Sequence, residues 1–242
     1  TFLARASRRF AETTNAPGTT VGVEAREVRT RAGRALLVDL PGTGSLTGRP
    51  VAGPPFWTAL LAAAPDAILV VADAGDVGRH VPLILACRDL GLPAVVALNL
   101  ADEAAAHGIA VDAGRLSQLL AVPVRRTVAR TGEGVAGAVA LAASRARRRR
   151  GVRAGTHSPR GLLPASAYPP AVELRLARAA ADLPTSHALG AAALDPTGLG
   201  GLVAAGALSA RGAATLLLPE IMDPVRRDLA ARWTAEVEAV RP

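Results

Sequence analysis

AILVVADAGDVGRHVPLILACRDLGLPAVVALNLAD, residues 67–102, decides the fold of this chain. It contains two continuous apolar runs, at 67–72 and 93–98, separated by a segment at 81–90 with helical spacing. Apolar runs without polar alternation are typical of strands that are buried on both faces of a parallel sheet. The order strand, helix, strand therefore predicts a right-handed crossover between two parallel strands.

The same alternation extends in both directions from this stretch. Further strands are predicted at 21–28, 34–40 and 122–126, and further helices at 55–64, 112–120 and 132–149. We therefore predict an α/β fold with a doubly wound, mostly parallel sheet. Ligands of such sheets bind beyond the carboxyl ends of the strands, which directs attention to the loops after residues 40, 98 and 126.

The composition changes after residue 146. Residues 147–169 are rich in Arg, Gly, Ser and Pro and are interpreted as a linker. Helical patterns follow at 170–183, 200–218 and 224–240, without a strand signal. The predicted organisation is an α/β domain at 1–146, a basic, proline-containing linker at 147–169 and a small all-helical domain at 170–242.

The charge of the chain is concentrated in one place. All 28 basic residues are arginines, the net charge is +8, and much of the excess lies in Arg145, Arg147, Arg148, Arg149, Arg150 and Arg153. No aromatic residues interleave with this cluster, so a stacking platform for nucleic acid is not expected. A solvated linker is the favoured interpretation of residues 145–153, and contact with anionic lipid is the alternative.

Two other features limit the class of protein. The single cysteine, Cys87, lies in an apolar helical pattern and is expected to be a buried, inert thiol. Neither a signal peptide nor a convincing membrane span is found in the sequence.

Residues 39–42, DLPG, end a predicted buried strand. The carboxylate of Asp39 is suited to the water shell of a Mg²⁺ ion, and the backbone amide of Gly42 can approach a terminal phosphate. On its own, the pattern is equally typical of a turn that ends a strand.

Residues 99–102, NLAD, follow the next buried strand. The carboxylate of Asp102 can accept from the N1–H and the exocyclic amine of guanine, and adenine offers no such pair of donors. Asn99 would brace the neighbouring loops. The alternative is that Asn99 or Asp102 caps a helix.

Two further segments fit a nucleotide site. Residues 127–134, TVARTGEG, resemble the loop whose backbone amide meets the guanine carbonyl oxygen, with Val128, Ala129 and Arg130 at its centre and Val128 in place of the usual Ser. In residues 15–21, NAPGTTV, Thr20 is a switch candidate that would ligate Mg²⁺ when a γ-phosphate is present, beside Gly18 and Thr19. Ordinary turns are the alternative for both. The order of the four motifs at strand ends predicts binding of GTP or GDP with Mg²⁺.

Longer stretches resemble one family, the ferrous-iron transport protein B (FeoB) family. Residues 39–47, DLPGTGSLT, resemble its DLPGTYSLT stretch, residues 15–21 resemble NWPGVTV, and residues 65–135 and 168–184 follow the family closely. The resemblance implies a GTPase domain with a P-loop-NTPase-like fold, with K⁺ as a further cofactor. It also implies a C-terminal membrane domain that moves Fe²⁺, outside this chain, and a place at the cytoplasmic face of the bacterial plasma membrane. The four histidines, at positions 80, 107, 157 and 187, are scattered, so no iron site is assigned.

The chain departs from the family in one decisive respect. A P-loop needs GxxxxGK(S/T), and this chain has no Lys. The resemblance places residues 1–10 in the helix after the P-loop, so that the first strand and the phosphate cradle would lie just upstream of Thr1. We expect an apolar slot between the strands at 36–39 and 67–72, low stability and poor GTP binding. The second switch also departs from the family pattern, because Gly44 replaces the usual Tyr and residues 53–57, GPPFW, replace an acidic helical stretch.

Two other functional classes remain open at this point. A stand-alone regulatory GTPase of the ribosome-assembly or tRNA-modification type would share the nucleotide motifs but not residues 168–177, YPPAVELRLA. A degenerate, non-hydrolysing scaffold would instead use residues 145–153 to bind a partner.

Overall fold

Three parallel strands form the centre of the computed structural model, which describes residues 2–7, 24–40, 60, 63–154, 168–181 and 210–240. The strands are β3 (Ile68–Asp73), β4 (Ala94–Asn99) and β6 (Val124–Arg126), in the order β3-β4-β6. Every residue of β4 is buried. The prediction of parallel strands at the two apolar runs is confirmed.

Helices connect these strands and pack against them. They are α1 (Phe2–Ser7), α2 (Val77–Asp89), α3 (Ala101–Ala106), α4 (Ala113–Leu120) and α5 (Val135–Ala154). Helix α2 begins four residues earlier than predicted because Asp76 caps it, with its side chain accepting from the Arg79 amide at 3.3 Å. Asp112 caps α4 in the same way, at 2.8 Å from the Arg115 amide.

Strands β1 (Glu24–Thr30) and β2 (Gly33–Asp39) form a separate antiparallel hairpin. Among the described residues, no ladder joins β2 to β3, and no strand lies between them. Apolar side chains near this break are open to solvent: Leu36 is 65% exposed and Val71 is 41% exposed. Such unpaired, apolar strands are prone to association with other chains.

Beyond residue 168 the chain is mainly helical. The elements are α6 (Pro170–Ala181), α7 (Ala210–Leu217), α8 (Pro219–Val237) and a short strand, β7 (Glu238–Val240). Helix α8 begins before the predicted residue 224, with Pro219 at its first position, where a missing N–H costs no hydrogen bond. Strand β7 takes the place of the last three residues of the helix predicted at 224–240, so the end of that prediction is wrong. The strand pairs antiparallel with β5 (Ile109–Val111), which lies between α3 and α4.

Three predicted segments differ from the structure or fall outside its description. Helix α5 extends to Ala154, so residues 147–154 of the predicted linker are helical. Residues 155–167 lie outside the described residues, as do most of the helix predicted at 55–64 and the first part of the one at 200–218.

The C-terminal helices dock on α2. Met222 and Trp233 of α8 share one hydrophobic core with Leu85 and Leu90 of the α/β part. Gly212 of α7 lies so close to the end of α2 that a Cβ there would be 2.8 Å from the Leu90 carbonyl oxygen. Tertiary packing therefore joins the two parts of the chain through α2.

Candidate functional site

Asn99 ends β4 and links the two loops at the carboxyl edge of the parallel sheet. Its side chain is only 9% exposed. Its Oδ1 atom accepts from the backbone amide of Ala129 at 2.9 Å and from the Thr127 hydroxyl at 3.2 Å. The predicted bracing role of Asn99 thus has a defined geometry, since one buried side chain connects the loop after β4 to the loop after β6.

The loop after β6 is held by its own backbone. The Val128 amide donates to the Glu133 carbonyl at 3.0 Å, and the Gly132 amide donates to the Val128 carbonyl at 2.8 Å. Gly134 has a φ of 70°, and a Cβ there would collide with the Arg126 carbonyl oxygen, so this position needs glycine. Because backbone bonds define this turn, a valine at position 128 leaves its hydrogen bonds in place.

Asp102 lies in the first turn of α3, directly beyond β4. Its Oδ2 atom accepts from the Arg130 guanidinium at 3.0 Å, its Oδ1 atom is buried, and the carboxyl also interacts with the backbone amides of Glu103 and Asp102. The hydrogen bond from Arg130 lowers the pKa of the Asp102 carboxyl, so this carboxylate stays ionised and can only accept hydrogen bonds.

Of the predicted site residues, the structure brings together Asn99, Asp102, Val128, Ala129 and Arg130. The Ala129 amide donates to Asn99, and this bond holds the loop after β6 against the end of β4. Asp39 ends β2 in the separate hairpin and is exposed, and no hydrogen bond joins it to this cluster in the described part of the chain. The predicted residues Gly18, Thr19, Thr20 and Gly42 lie outside the described residues.

Two residues of the site were not singled out from the sequence. Thr127 is 1% exposed and bonds to Asn99, and its place directly after the β6 pattern was an available signal. Arg5 of α1 donates to the Arg130 carbonyl at 2.6 Å and lies against Gly132. No local pattern marks Arg5, because its partner is 125 residues away.

These features define the class of the protein: an α/β nucleotide-binding domain of the G-domain type, with two loops joined through Asn99 at the carboxyl ends of parallel strands. The family model for "Ferrous iron transport protein B" (FeoB_N) matches residues 1–141. The chain therefore belongs to the FeoB_N family, and the resemblance noted in the sequence is confirmed.

Curated relatives are similar over the same region. The chain is 33% identical over 134 residues to the Fe(2+) transporter FeoB of Synechocystis, a match that covers 55% of this chain and 22% of the relative. It is 37% identical over 120 residues to the Fe(2+) transport protein A/FeoB fusion protein of Porphyromonas gingivalis, covering 48% of this chain and 14% of the relative. The chain thus corresponds to less than a quarter of the length of these relatives.

Solved structures support the fold. The GDP-bound FeoB G-domain mutant of S. thermophilus matches with a TM-score of 0.70 at 22% identity, covering 98% of this chain and 94% of that one. The cytosolic domain of L. pneumophila FeoB matches with a TM-score of 0.65 at 20% identity, covering 98% and 93%. The predicted P-loop-NTPase-like class is confirmed. No helix in the described ranges is both long and apolar enough to cross a membrane.

Proposed function

We propose that this chain is the guanine-nucleotide-binding part of a ferrous-iron transporter, acting at the cytoplasmic face of a bacterial plasma membrane. In the intact protein it would bind GTP and GDP, hydrolyse GTP and couple the nucleotide state to Fe²⁺ uptake by a C-terminal membrane domain. Membership of the FeoB_N family supports this role. The Fe(2+) transporter names of the relatives and the GDP-bound structural neighbour point in the same direction.

One observation supports the proposal: the residues predicted from the sequence to select guanine are already held together in the structure. Asn99 holds the Ala129 amide and the Thr127 hydroxyl, and Asp102 offers an ionised carboxylate beside them. Guanine would present its N1–H and exocyclic amine to the two oxygens of this carboxylate, and Oδ1, which is buried, must become accessible for that pairing. Access to Oδ2 requires Arg130 to move or to share that oxygen, which is a small change for a side chain that is 77% exposed.

The phosphate half of the site rests on the remaining predicted residues. Asp39, exposed at the end of β2, has the carboxylate that suits the water shell of Mg²⁺. Thr20 would ligate the same ion beside Gly18 and Thr19, and Gly42 would meet the γ-phosphate. When bound, Mg²⁺ neutralises charge on the phosphate oxygens. Because the chain has no Lys, we expect it to bind nucleotides weakly and to hydrolyse GTP poorly by itself.

The test replaces Asp102, whose carboxylate only accepts hydrogen bonds, with a residue whose side chain can also donate one. In Asp102→Asn the side-chain amide can donate to the C2 carbonyl of xanthine, which replaces the amine of guanine. Ligand-observed NMR, which detects weak binding, should show the original chain preferring GDP over XDP and ADP, and the variant preferring XDP. Glu103→Gln, one residue on and exposed, is the matched control and should keep the preference for GDP. Equal binding of GDP and ADP by the original chain would refute the proposal.

A further inference from the structure

Two elements that are far apart in sequence bring exposed arginines together around one turn. Arg29, Arg31 and Arg34 belong to the β1–β2 hairpin, and Arg147 and Arg148 lie near the end of α5; all five are exposed. We call these five residues the turn–helix basic patch.

Contact at Gly33 joins the two halves of the patch. The Arg147 guanidinium lies directly against this glycine, in a space that any larger side chain would need. Gly33 has a φ of 109°, which glycine tolerates and other residues rarely adopt. The hairpin turn and the end of α5 therefore form one continuous surface, and residues 147–154 are helical here rather than a loose linker.

Carboxylates neutralise very little of this charge. Glu27 pairs with Arg34, and the hydrogen bond from Arg34 lowers the pKa of the Glu27 carboxyl. Within the described ranges, no salt bridge joins a carboxylate to Arg31, Arg147 or Arg148, and Arg29 shares the charge of Glu27 with Arg34. From residue 134 to residue 172 the sequence contains seven arginines and no Asp or Glu.

The positive charges on α5 also repel one another. Arg145 is partly buried, and its pKa is lowered first by that burial and then by the positive charge of Arg148. Its Nε atom is buried without a hydrogen-bond partner. Crowded like charges destabilise the isolated chain, and an external anion would relieve this repulsion.

The arrangement of the patch selects the kind of anion. The patch itself contains no aromatic side chain, which removes the stacking platform that single-stranded nucleic acid uses. Arginines spread over a turn and a helix end instead suit a surface with many phosphates, such as a leaflet of anionic lipid.

We infer that the turn–helix basic patch docks this domain on the anionic lipid headgroups of the membrane. The inference rests on the proposed function only for the presence of that membrane next to the domain. The binding itself depends on charge alone, and it predicts affinity that rises with the anionic fraction of the leaflet and falls with added salt.

Vesicle flotation tests the inference, because bound protein rises with the lipid whereas aggregated protein does not. The chain should float with vesicles of phosphatidylglycerol mixed with phosphatidylcholine, and not with phosphatidylcholine alone. The charge reversal Arg147→Glu/Arg148→Glu should weaken binding at least about tenfold, since each basic residue near an anionic surface contributes roughly a fivefold factor. Arg147→Gln/Arg148→Gln, with a milder loss, provides a second variant, and circular dichroism checks that each variant is folded.

The matched control is Arg175→Glu/Arg178→Glu, which makes the same change in net charge at two exposed positions on α6. It should float nearly as well as the original chain. No flotation with anionic vesicles, or an equal loss in the control, would overturn the proposal. Release by dilute inorganic phosphate would assign the patch to a free anion, and tighter binding of single-stranded RNA would assign it to nucleic acid. The GDP-over-ADP preference, measured separately, should be unchanged in Arg147→Glu/Arg148→Glu, so failure of either proposal is recognisable.

Discussion

Asp89, at the end of α2, accepts a hydrogen bond at 2.9 Å from Arg226 of α8, and both side chains are 1% exposed. The two residues are 137 positions apart and join the α/β part to the C-terminal helices. Tyr168 also donates to Asp89, and Arg88 donates to its other oxygen at 3.0 Å. A buried carboxylate is thus surrounded by donors from three parts of the chain.

We expect removal of this carboxylate to be strongly destabilising. In Asp89→Ala the buried Arg226 would retain only Asp223, at 3.6 Å, as a charged partner, so the free energy of unfolding should fall by about 3–5 kcal/mol. Arg226→Met should cost less, because Asp89 keeps Arg88 and Tyr168. Urea unfolding measures both. Arg227→Met, at the exposed neighbouring position, is the control and should change stability by less than about 0.5 kcal/mol.

The close approach of α7 to α2 gives a second prediction. Gly212→Ala would place a Cβ 2.8 Å from the Leu90 carbonyl oxygen and 2.9 Å from that of Asp89, so the two helices must separate. Overpacking of this kind costs about 1–3 kcal/mol. Gly137→Ala in α5 is the matched control, since a Cβ there meets nothing within 4 Å. That change should stabilise the chain by about 0.5–1 kcal/mol. Equal effects of the two substitutions on the urea midpoint would contradict the proposed contact.

The buried thiol of Cys87 should make the free energy of unfolding depend on pH in the alkaline range. Burial raises the pKa of this thiol to about 12, whereas a thiol in an unfolded chain titrates near about 8.5. Between these values the unfolded chain loses the proton and the folded chain keeps it. The free energy of unfolding should therefore be at its full value below about pH 8.5 and fall by about 1.4 kcal/mol per pH unit above it. Burial also raises the pKa of Tyr168, so a second decline should begin above about pH 10.

Urea titrations across this range check the prediction, and the absence of Lys leaves few other groups that titrate there. Cys87→Ala should abolish the first decline and retain the second. A slope that persists between about pH 8.5 and 10 in this variant would show that another group is responsible.

Asn99 provides a prediction about the candidate site. Asn99→Ala leaves the buried Ala129 amide without its acceptor, which should cost about 1–3 kcal/mol of stability. Hydrogen exchange at the Ala129 amide should accelerate, and the preference for GDP over ADP should disappear. Gln118→Ala on α4, where the side chain is exposed, is expected to leave all three measurements unchanged.

The sequence predicted the features that depend on local patterns. The apolar runs of β3 and β4 and the polar residues directly after them, Asn99 among these, lie where parallel sheets require them. The start of α2 was misplaced because Asp76 provides a cap that the apolar spacing does not reveal. Strand β7 was missed because three residues are too few to show a periodic pattern. Its partner, β5, lies 129 residues earlier in the chain, so no local signal connects the two strands.

The Asp89–Arg226 pair shows a different limit of prediction from the sequence. Arg226 falls on the buried stripe of α8 with Met222, Leu229 and Trp233, and a charged residue on an apolar stripe requires a buried partner. That signal was present in the sequence. The identity of the partner was not, because the spacing of α8 contains no information about the end of α2.

Strand β7 also determines how the domain would carry mechanical load. Its ladder to β5 runs antiparallel, with Glu238 opposite Val111 and Val240 opposite Ile109. Hydrogen bonds in such a ladder lie across the strands, so tension along β7 is shared by all of them at once instead of opening them one by one. From β5 the load passes through the turn at Gly108 into α3, the helix that bears Asp102. A pull on the end of the described chain would therefore reach Asp102 through only a few residues.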